Sequence, residues 1–431
     1  MDNNKLKISI KTLNKLSNVL SEVESYSLLR RKAMYENYSL SYPKLHSMNL
    51  EEWNLLDFDT NDLLEIDNSD FNKEDYADVI NFDENSITIV QKNNSLKYVN
   101  IPDKYKNQII VNDIFSAMKE NKNLLEVFGQ IASPEKNKLT SQHYVLLNSG
   151  IYIELLDNAN IDVPVQYTAI VDNDKQSFYN HVAINVGKNS QLNFIENYIS
   201  PVSNRAFNMI TEVLAKENSN INYSSVTNFN SKQRGTIVRN GITQRSAILN
   251  WNIATMDNAD VFCDNTTNII GDGSESNLKL VTLGTGKQKI YFNSELVNQG
   301  LNTNGDILQH GVLLDESHIV FNGVGFIVKG ATSSNAYQSS RLLTLSDKAK
   351  ADANPMLLID ENDVAAGHGA SLGKIDEEQI YYLNSRGLSR KEASRLLVHG
   401  FLSPVIEKLK VDKVKLETIS LIDEKINKVS E

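Results

Sequence analysis

One histidine near the end of the chain has the setting of a metal ligand. His368 stands between two glycines in the run Gly-His-Gly at 367–369. Neutral imidazole binds iron and zinc well. Glycine has no Cβ, so flanking glycines leave the imidazole open and allow backbone conformations that other residues rarely adopt. The pattern predicts a loop that presents a metal ligand, although a structural or merely exposed histidine would have the same signature.

The remaining histidines form no metal-binding pattern. The sequence has no His-Glu-x-x-His pair and no Cys/His set with metal-ligand spacing. His310 and His318 are eight residues apart in a β-like stretch, where chance neighbours are the simpler interpretation. His399 falls in a predicted helix and suits a cap or an interface.

The chain has a single cysteine, Cys263. One thiol excludes both an internal disulfide and an all-cysteine cluster site. The apolar residues that precede it predict a buried thiol, with a sulfur acceptor as the alternative. The cytoplasm is the simplest compartment for such a chain.

Signatures of common enzymes are missing from the sequence. Residues 284–288 resemble a phosphate-binding loop, but Val281 replaces its first glycine and Gln288 its Ser or Thr. No Gly-x-Ser-x-Gly nucleophile motif is present. We therefore predict a protein that is not an enzyme.

Length, charge and hydropathy further restrict the class of protein. A chain of 431 residues is long enough for two or three domains. Its net charge of -11 disfavours nucleic acid as a partner, because phosphate binding needs clustered Lys and Arg. No window approaches 18 consecutive apolar residues, so we expect no membrane span, and residues 1–7 lack the apolar core of a signal peptide.

The first third of the sequence is predicted to be mainly helical. Apolar residues spaced by three and four place a helix within 5–37, with a second near Tyr26–Tyr38. Residues 86–101 read as a hairpin with a polar loop. A helical pattern returns over 113–128, and 133–137 read as a linker.

From about 144 to 345 the pattern is β-like and weakly repetitive. Three copies of an apolar–Asn–aromatic core occur, with a fainter fourth at 276–280. A fixed period suggests stacked coils with polar, Asn-rich corners, and a β-sandwich with coincidental spacing is the alternative. The repeated apolar residues Leu192, Ile221, Leu249 and Leu278 lie 29, 28 and 29 residues apart.

The last 55 residues or so read as three short helices starting near 377, 390 and 404. Gly387 and Gly400 are placed to end the first two. Apolar residues at helical spacing predict an exposed face for a partner, with packing on this chain's own β region as the alternative. That face comprises Leu396, Leu397, Phe401, Val405 and Leu409.

Much of this C-terminal quarter is similar to a known family. The runs 351–373, 381–387 and 392–401 resemble the SufB/SufD family of iron–sulfur cluster assembly scaffolds. Thinner matches lie earlier, at Glu51–Trp53 and at Asn335–Gln338. The N-terminal third matches only sparsely.

The resemblance implies a mainly β fold, with a right-handed parallel β-helix core flanked by N-terminal and C-terminal helical domains. The expected boundaries are 1–136 for a mostly helical domain with a small hairpin, 137–346 for the β-helix, and 347–431 for a His-Gly loop and helices. β-Helices also occur in polysaccharide lyases and esterases, so a carbohydrate-active enzyme is the rival interpretation.

The resemblance also implies a non-catalytic scaffold subunit. It would pair with a SufB-type scaffold, bind the ATPase SufC through its C-terminal helices, and receive sulfur indirectly from a cysteine desulfurase or sulfur carrier. His368 would be one ligand of a transient iron–sulfur cluster shared with SufB, with no cofactor held alone and a possible homodimer in isolation. A purely structural partner, with no ligand at His368, is the alternative.

Two positions depart from the family pattern. The SufB branch carries a cysteine where this chain has Leu383, so the chain resembles the other branch and lacks that thiol ligand. Many members have a histidine near 297–299, where Gln299 is too weak a ligand to replace it.

Overall fold

The computed structural model describes residue 6 and residues 8–56, 62–173, 177–200, 206–230 and 234–428. Most of the N-terminal stretch predicted to lack a signal peptide, residues 1–5 and 7, lies outside the described residues. The α-helices are α1 (Ile10–Val19), α2 (Glu24–Asn37), α3 (Ile114–Glu120), α4 (Lys138–Leu146), α5 (Glu377–Ser385), α6 (Arg390–Ile406) and α7 (Asp412–Lys428). Short 3-10 helices occupy Leu50–Trp53, Asp62–Leu64, Lys73–Tyr76, Asp103–Tyr105 and Lys122–Glu126.

The rest of the chain is mostly strand. The strands are β1 (Ile87–Lys92), β2 (Ser95–Asn100), β3 (Ile109–Asp113), β4 (Ser149–Leu155), β5 (Val165–Ile170), β6 (Phe178–Val186), β7 (Gln191–Ile199), β8 (Ala206–Ala215), β9 (Asn220–Asn228), β10 (Arg234–Thr243), β11 (Ile248–Thr255), β12 (Asp260–Ile269), β13 (Glu275–Gly284), β14 (Lys289–Asn298), β15 (Asn304–Leu313), β16 (His318–Ile327), β17 (Ser334–Thr344), β18 (Lys350–Ile359) and β19 (Val364–Lys374).

From β4 onward, successive strands alternate between two parallel sheets. The ten-stranded sheet A has the order β19-β17-β15-β13-β11-β9-β7-β5-β1-β2, and the nine-stranded sheet B has the order β18-β16-β14-β12-β10-β8-β6-β4-β3. Each coil of chain therefore adds one strand to each sheet. This is a parallel β-solenoid, and the predicted β-helix with terminal helices is confirmed. The predicted hairpin is also present, as the antiparallel pair β1–β2.

The repeat residues lie in the solenoid core, but one copy is shifted. Leu192, Ile221, Leu249 and Leu278 are all buried there. Leu249 pairs with Ser276, however, and Trp251 pairs with Leu278. The fourth copy therefore begins at Ser274 rather than Ser276. Because strand side chains alternate with a period of two, this slip of two residues keeps Leu278 on the interior face.

A ladder of asparagines sets this register. Asn222 Nδ2 donates to Asn193 Oδ1 at 3.1 Å, and Asn250 donates to Asn222 at 3.1 Å. Asn277 continues the ladder by donating to Asn250 at 2.9 Å. Each side-chain amide can donate to one coil and accept from the next, so identical residues at one position stabilise the stacking.

Asparagines also form the corners of the early coils. Asn158, Asn189 and Asn218 have φ values of 62°, 56° and 57°. Asparagine tolerates this left-handed region better than most residues. Asn189 donates to Asn158 at 3.1 Å and Asn218 to Asn189 at 2.9 Å, so these turns stack through their own ladder.

The N-terminal helices cover the outer face of sheet B. Leu13 and Leu16 of α1 belong to one apolar cluster with Ile210 and Val238 of sheet B. Helix α4, which the sequence reading missed, lies in the same cluster, and each of its nine residues is buried. Its polar and apolar residues are buried alike, so its sequence shows no amphipathic period.

The C-terminal helices cover the outer face of sheet A. Val398, Leu402 and Val405 pack in one cluster with Val281 and Val312 of sheet A. Two expectations for this region are wrong. Gly400 does not end a helix, and no helix starts at 404, because α6 continues through Pro404 to Ile406. The predicted start of α6 near 390 is confirmed, with Ser389 and Glu392 forming a capping box at its N-terminus.

The solenoid is longer than the predicted boundaries of 137 and 346. Strands β18 and β19 extend it to Lys374, and β1 joins sheet A beside β5. The segment predicted as a His-Gly loop is therefore the last coil, because its backbone pairs with β16 and β17. Among the described residues, every helix is too short or too polar to cross a membrane.

Candidate functional site

His368 lies in strand β19, paired with Gln338 of β17. The loop predicted around it is wrong. Neither Gly367 nor Gly369 has a positive φ, so the backbone freedom of glycine is not used here. An extended strand holds His368 at a fixed position in the sheet register. The side chain is exposed, as a ligand for a shared cluster requires.

His368 lies on the face of β19 that continues the solenoid interior. Its neighbour Gln338 is buried and lies two positions from Ala336 and four from Leu342, which pack in the core. Leu342 is only 2% exposed, whereas its register partner Leu372 on β19 is 55% exposed. The last coil therefore presents an interior face that its own chain leaves open.

The open end of the solenoid has the features of an interface. Strands β18 and β19 are the terminal strands of their sheets, and a terminal strand carries unpaired backbone groups that can bind another strand. Large apolar side chains are exposed around it, which marks interaction surfaces in soluble proteins. These exposed residues are Tyr337, Met356, Leu358, Ile359 and Leu372.

Metal-ligating side chains are dispersed in the described part of the chain. It contains no group of three or more His, Cys, Asp or Glu side chains arranged to hold a metal. Cys263, the only thiol, is buried in β12, and burial raises its pKa. Three strand spacings separate β12 from the terminal strand β18, which is about 14 Å. Cys263 therefore lies several coils from the open end of the solenoid.

Most other histidines are engaged within the chain. His310 Nδ1 donates to the Phe401 carbonyl oxygen at 2.8 Å. His318 Nε2 lies 2.7 Å from Asp352 Oδ2, and His399 Nε2 lies 2.7 Å from Asp423 Oδ1. These contacts tie β15 to α6, β16 to β18, and α6 to α7. Each of these three histidines therefore has a structural contact within the chain.

A buried pair, His143 and His181, escaped the sequence reading. His143 Nε2 lies 3.1 Å from His181 Nδ1, and His181 Nε2 lies 2.9 Å from Glu212 Oε2. Glu212 also accepts hydrogen bonds from the backbone N–H groups of Gly129, Ile131 and Ala132. The network joins α4 and the loop before it to sheet B. No short-range spacing could reveal it, because its members lie far apart in the chain.

The predicted partner-binding residues do not share one exposed face. Leu396 is exposed, and Leu397 and Phe401 are half-buried. Val405 and Leu409 are buried against sheet A, so the prediction of an exposed face is wrong for them. The alternative, packing on the chain's own solenoid, applies there. Tyr381 and Tyr382 of α5, at 76% and 57% exposure, are apolar surface that the prediction did not include.

Comparison with known proteins defines the class. A family model described as SUF system FeS cluster assembly, SufBD core domain, matches residues 169–401. That range covers most of the solenoid and reaches into α6. The chain belongs to the SufB/SufD family of iron–sulfur cluster assembly proteins.

Individual relatives support the SufD branch. The chain is 34% identical over 434 residues to the iron-sulfur cluster assembly protein SufD of Bacillus subtilis (strain 168), a match covering 98% of this chain and 99% of the relative. It is 20% identical over 307 residues to SufB of the same organism, covering 70% of this chain and 66% of the relative. A SufBD family protein of Pyrococcus horikoshii is 27% identical over 293 residues, covering 67% and 65%.

Proposed function

We propose that this protein is a non-catalytic scaffold subunit of a cytoplasmic Suf machine, in which a SufB-type protein binds the open end of its solenoid. The observation that carries this proposal is the position of His368. It is exposed on a terminal strand, and the chain's only thiol is buried several coils away. Such a site provides one ligand of a cluster and needs a second chain that provides thiolate ligands.

The terminal strands supply the means of pairing. A partner strand added beside β18 or β19 would satisfy their free backbone groups. It would also cover Leu372, Met356 and Leu358, which are exposed in the chain alone. Pairing by this edge would enclose His368 at the junction of the two proteins, where a transient cluster could be shared.

The C-terminal helices are proposed as the docking surface for a SufC-type ATPase. Leu396 of α6 and Tyr381 and Tyr382 of α5 are exposed. The opposite side of α6 is packed on sheet A through Val405. A helix that packs on the solenoid on one side and exposes Leu396 on the other could transmit movement of a bound ATPase to the solenoid.

Affinity purification of the full-length chain from its own cells tests this function. We expect a SufB-type scaffold and a SufC-type ATPase to co-elute, with sulfur reaching the complex from a desulfurase or sulfur carrier. The matched control is the same chain with Leu358→Asp and Leu372→Asp, which adds charge to the open end and should reduce SufB recovery. Elution of the wild-type chain without either protein would contradict the proposal.

A further inference from the structure

A second surface site lies beside the solenoid end, on the outer face of sheet A. A groove of about 420 Å³ lies over the neighbouring strands β17 and β19, and helix α6 borders it on one side. Ser339 and Arg341 of β17 line it, with Ser371 and Gly373 of β19 opposite and Phe401 of α6 as a wall. It lies on the face opposite to that of His368, because strand residues separated by an odd number point to opposite sides.

The groove has a single charge. Arg341 is the only ionisable residue in its lining, and the lining contains no carboxylate. Across the described residues, no hydrogen bond or ion pair engages the Arg341 guanidinium. An unpaired arginine is notable in a chain of net charge -11, because acidic side chains are plentiful elsewhere on the molecule. Arg341 is therefore free to bind an anion from solution.

The other polar groups of the lining can donate hydrogen bonds. Arg341 pairs in register with Ser371, so the two residues are neighbours on adjacent strands and their side chains lie on the same face of the sheet. Ser339 lies two positions before Arg341 on that face. A guanidinium binds an oxyanion through two parallel N–H groups, and hydroxyls can donate to its remaining oxygens.

His310 holds the wall of the groove in place. It precedes Arg341 in the same row of sheet A, and its ring stacks on Phe401 with centroids 4.6 Å apart. Its Nδ1–H donates to the Phe401 carbonyl oxygen at 2.8 Å. Burial, together with the nearby charge of Arg341, lowers the pKa of His310. The imidazole thus stays neutral and leaves Arg341 as the cation of the site.

We propose that this groove binds a phosphate-type oxyanion, either free or as the terminal group of a small metabolite, with Arg341 as its main ligand and Ser371 and Ser339 as hydrogen-bond donors. The volume exceeds that of one phosphate group, so a small organic substituent could occupy the part beside Phe401. The proposal does not depend on cluster assembly or on the partners proposed above.

Two substitutions test the groove independently. Arg341→Gln removes the charge and keeps a polar side chain. Gly373→Val fills the groove without touching Arg341, because a Cβ at Gly373 meets no atom within 4 Å and valine suits an extended strand. Arg245→Gln is the control, since Arg245 is an exposed arginine at a distant corner that pairs with Glu217.

The measurement is isothermal titration of the full-length chain with inorganic phosphate and with phenyl phosphate, at fixed ionic strength, with circular dichroism to verify folding. We expect saturable binding that Arg341→Gln and Gly373→Val each weaken at least tenfold and Arg245→Gln leaves unchanged. Tighter binding of phenyl phosphate would assign the site to an esterified phosphate, and equal binding to the free ion. Absence of saturable binding by the wild type, or unchanged binding by either folded groove variant, would overturn the proposal.

Discussion

His143 Nε2 and His181 Nδ1 lie 3.1 Å apart in the junction between the N-terminal helices and sheet B. Both side chains are fully buried. At most one of the two facing nitrogens can carry a proton in this contact, so at least one histidine must stay neutral there. The stability of this junction should therefore depend on pH.

The first prediction concerns pH. Burial first, and the neighbouring His181 second, hold the pKa of His143 well below its usual 6.5. The unfolded chain therefore binds more protons than the folded chain below about pH 6.5, and the free energy of unfolding falls as pH falls. We expect urea unfolding at pH 7.5 and 5.5 to show this loss, and His143→Gln to make it smaller. An identical loss in wild type and variant would show that His143 does not cause it.

The second prediction concerns the core. Leu249 lies in the solenoid interior and is 0% exposed. Leu249→Ala should lower the free energy of unfolding by about 2–5 kcal/mol, because it removes buried methyl groups and leaves a cavity. Leu396→Ala, on the exposed face of α6, should change it by less than about 0.5 kcal/mol. A loss below about 1 kcal/mol at Leu249, measured by denaturant unfolding, would contradict the assigned register.

The third prediction separates docking from folding in the C-terminal helices. Leu396→Glu combined with Tyr381→Ala should weaken binding of a SufC-type ATPase and leave the melting temperature nearly unchanged, since both side chains are exposed. Val405→Ala should lower the melting temperature and leave ATPase binding nearly unchanged, because Val405 packs against sheet A. Pull-down and thermal unfolding of the three proteins provide the comparison. Full ATPase binding by the exposed-face variant would place the docking surface elsewhere.

Periodic features of this chain are predictable from sequence, and tertiary ones are not. The 28–29-residue period indicates stacked coils because each coil repeats the same burial pattern. The sequence alone misplaces the fourth copy, because Leu278 and Leu280 both fit the interior face. The asparagine ladder decides between the two registers, and it depends on hydrogen bonds between coils.

The candidate site is likewise predictable from sequence only in part. The glycines around His368 indicate an exposed residue, and His368 is exposed. Its place in a terminal strand depends on pairing with β17, which the glycine-rich sequence does not suggest. The spacing of Val405 and Leu409 predicts a shared apolar face but not what that face contacts. Only the packed structure shows that both side chains are buried on the solenoid.

If His368 is an iron ligand in a site shared between two chains, its removal should lower the cluster content of the complex. The most direct measurement is the iron and acid-labile sulfide content of the anaerobically purified complex with SufB and SufC, compared between wild type and His368→Ala. His318→Gln is the matched control, because His318 lies in the last coils and contacts Asp352 within the same chain.

We predict that His368→Ala forms the complex normally but carries much less iron and sulfide, and that His318→Gln carries wild-type amounts. The substitution should not disturb assembly, because an exposed side chain contributes little to stability. Equal cluster content in wild type and His368→Ala, with assembly intact, would contradict a ligand role and reduce His368 to an exposed residue of the terminal strand.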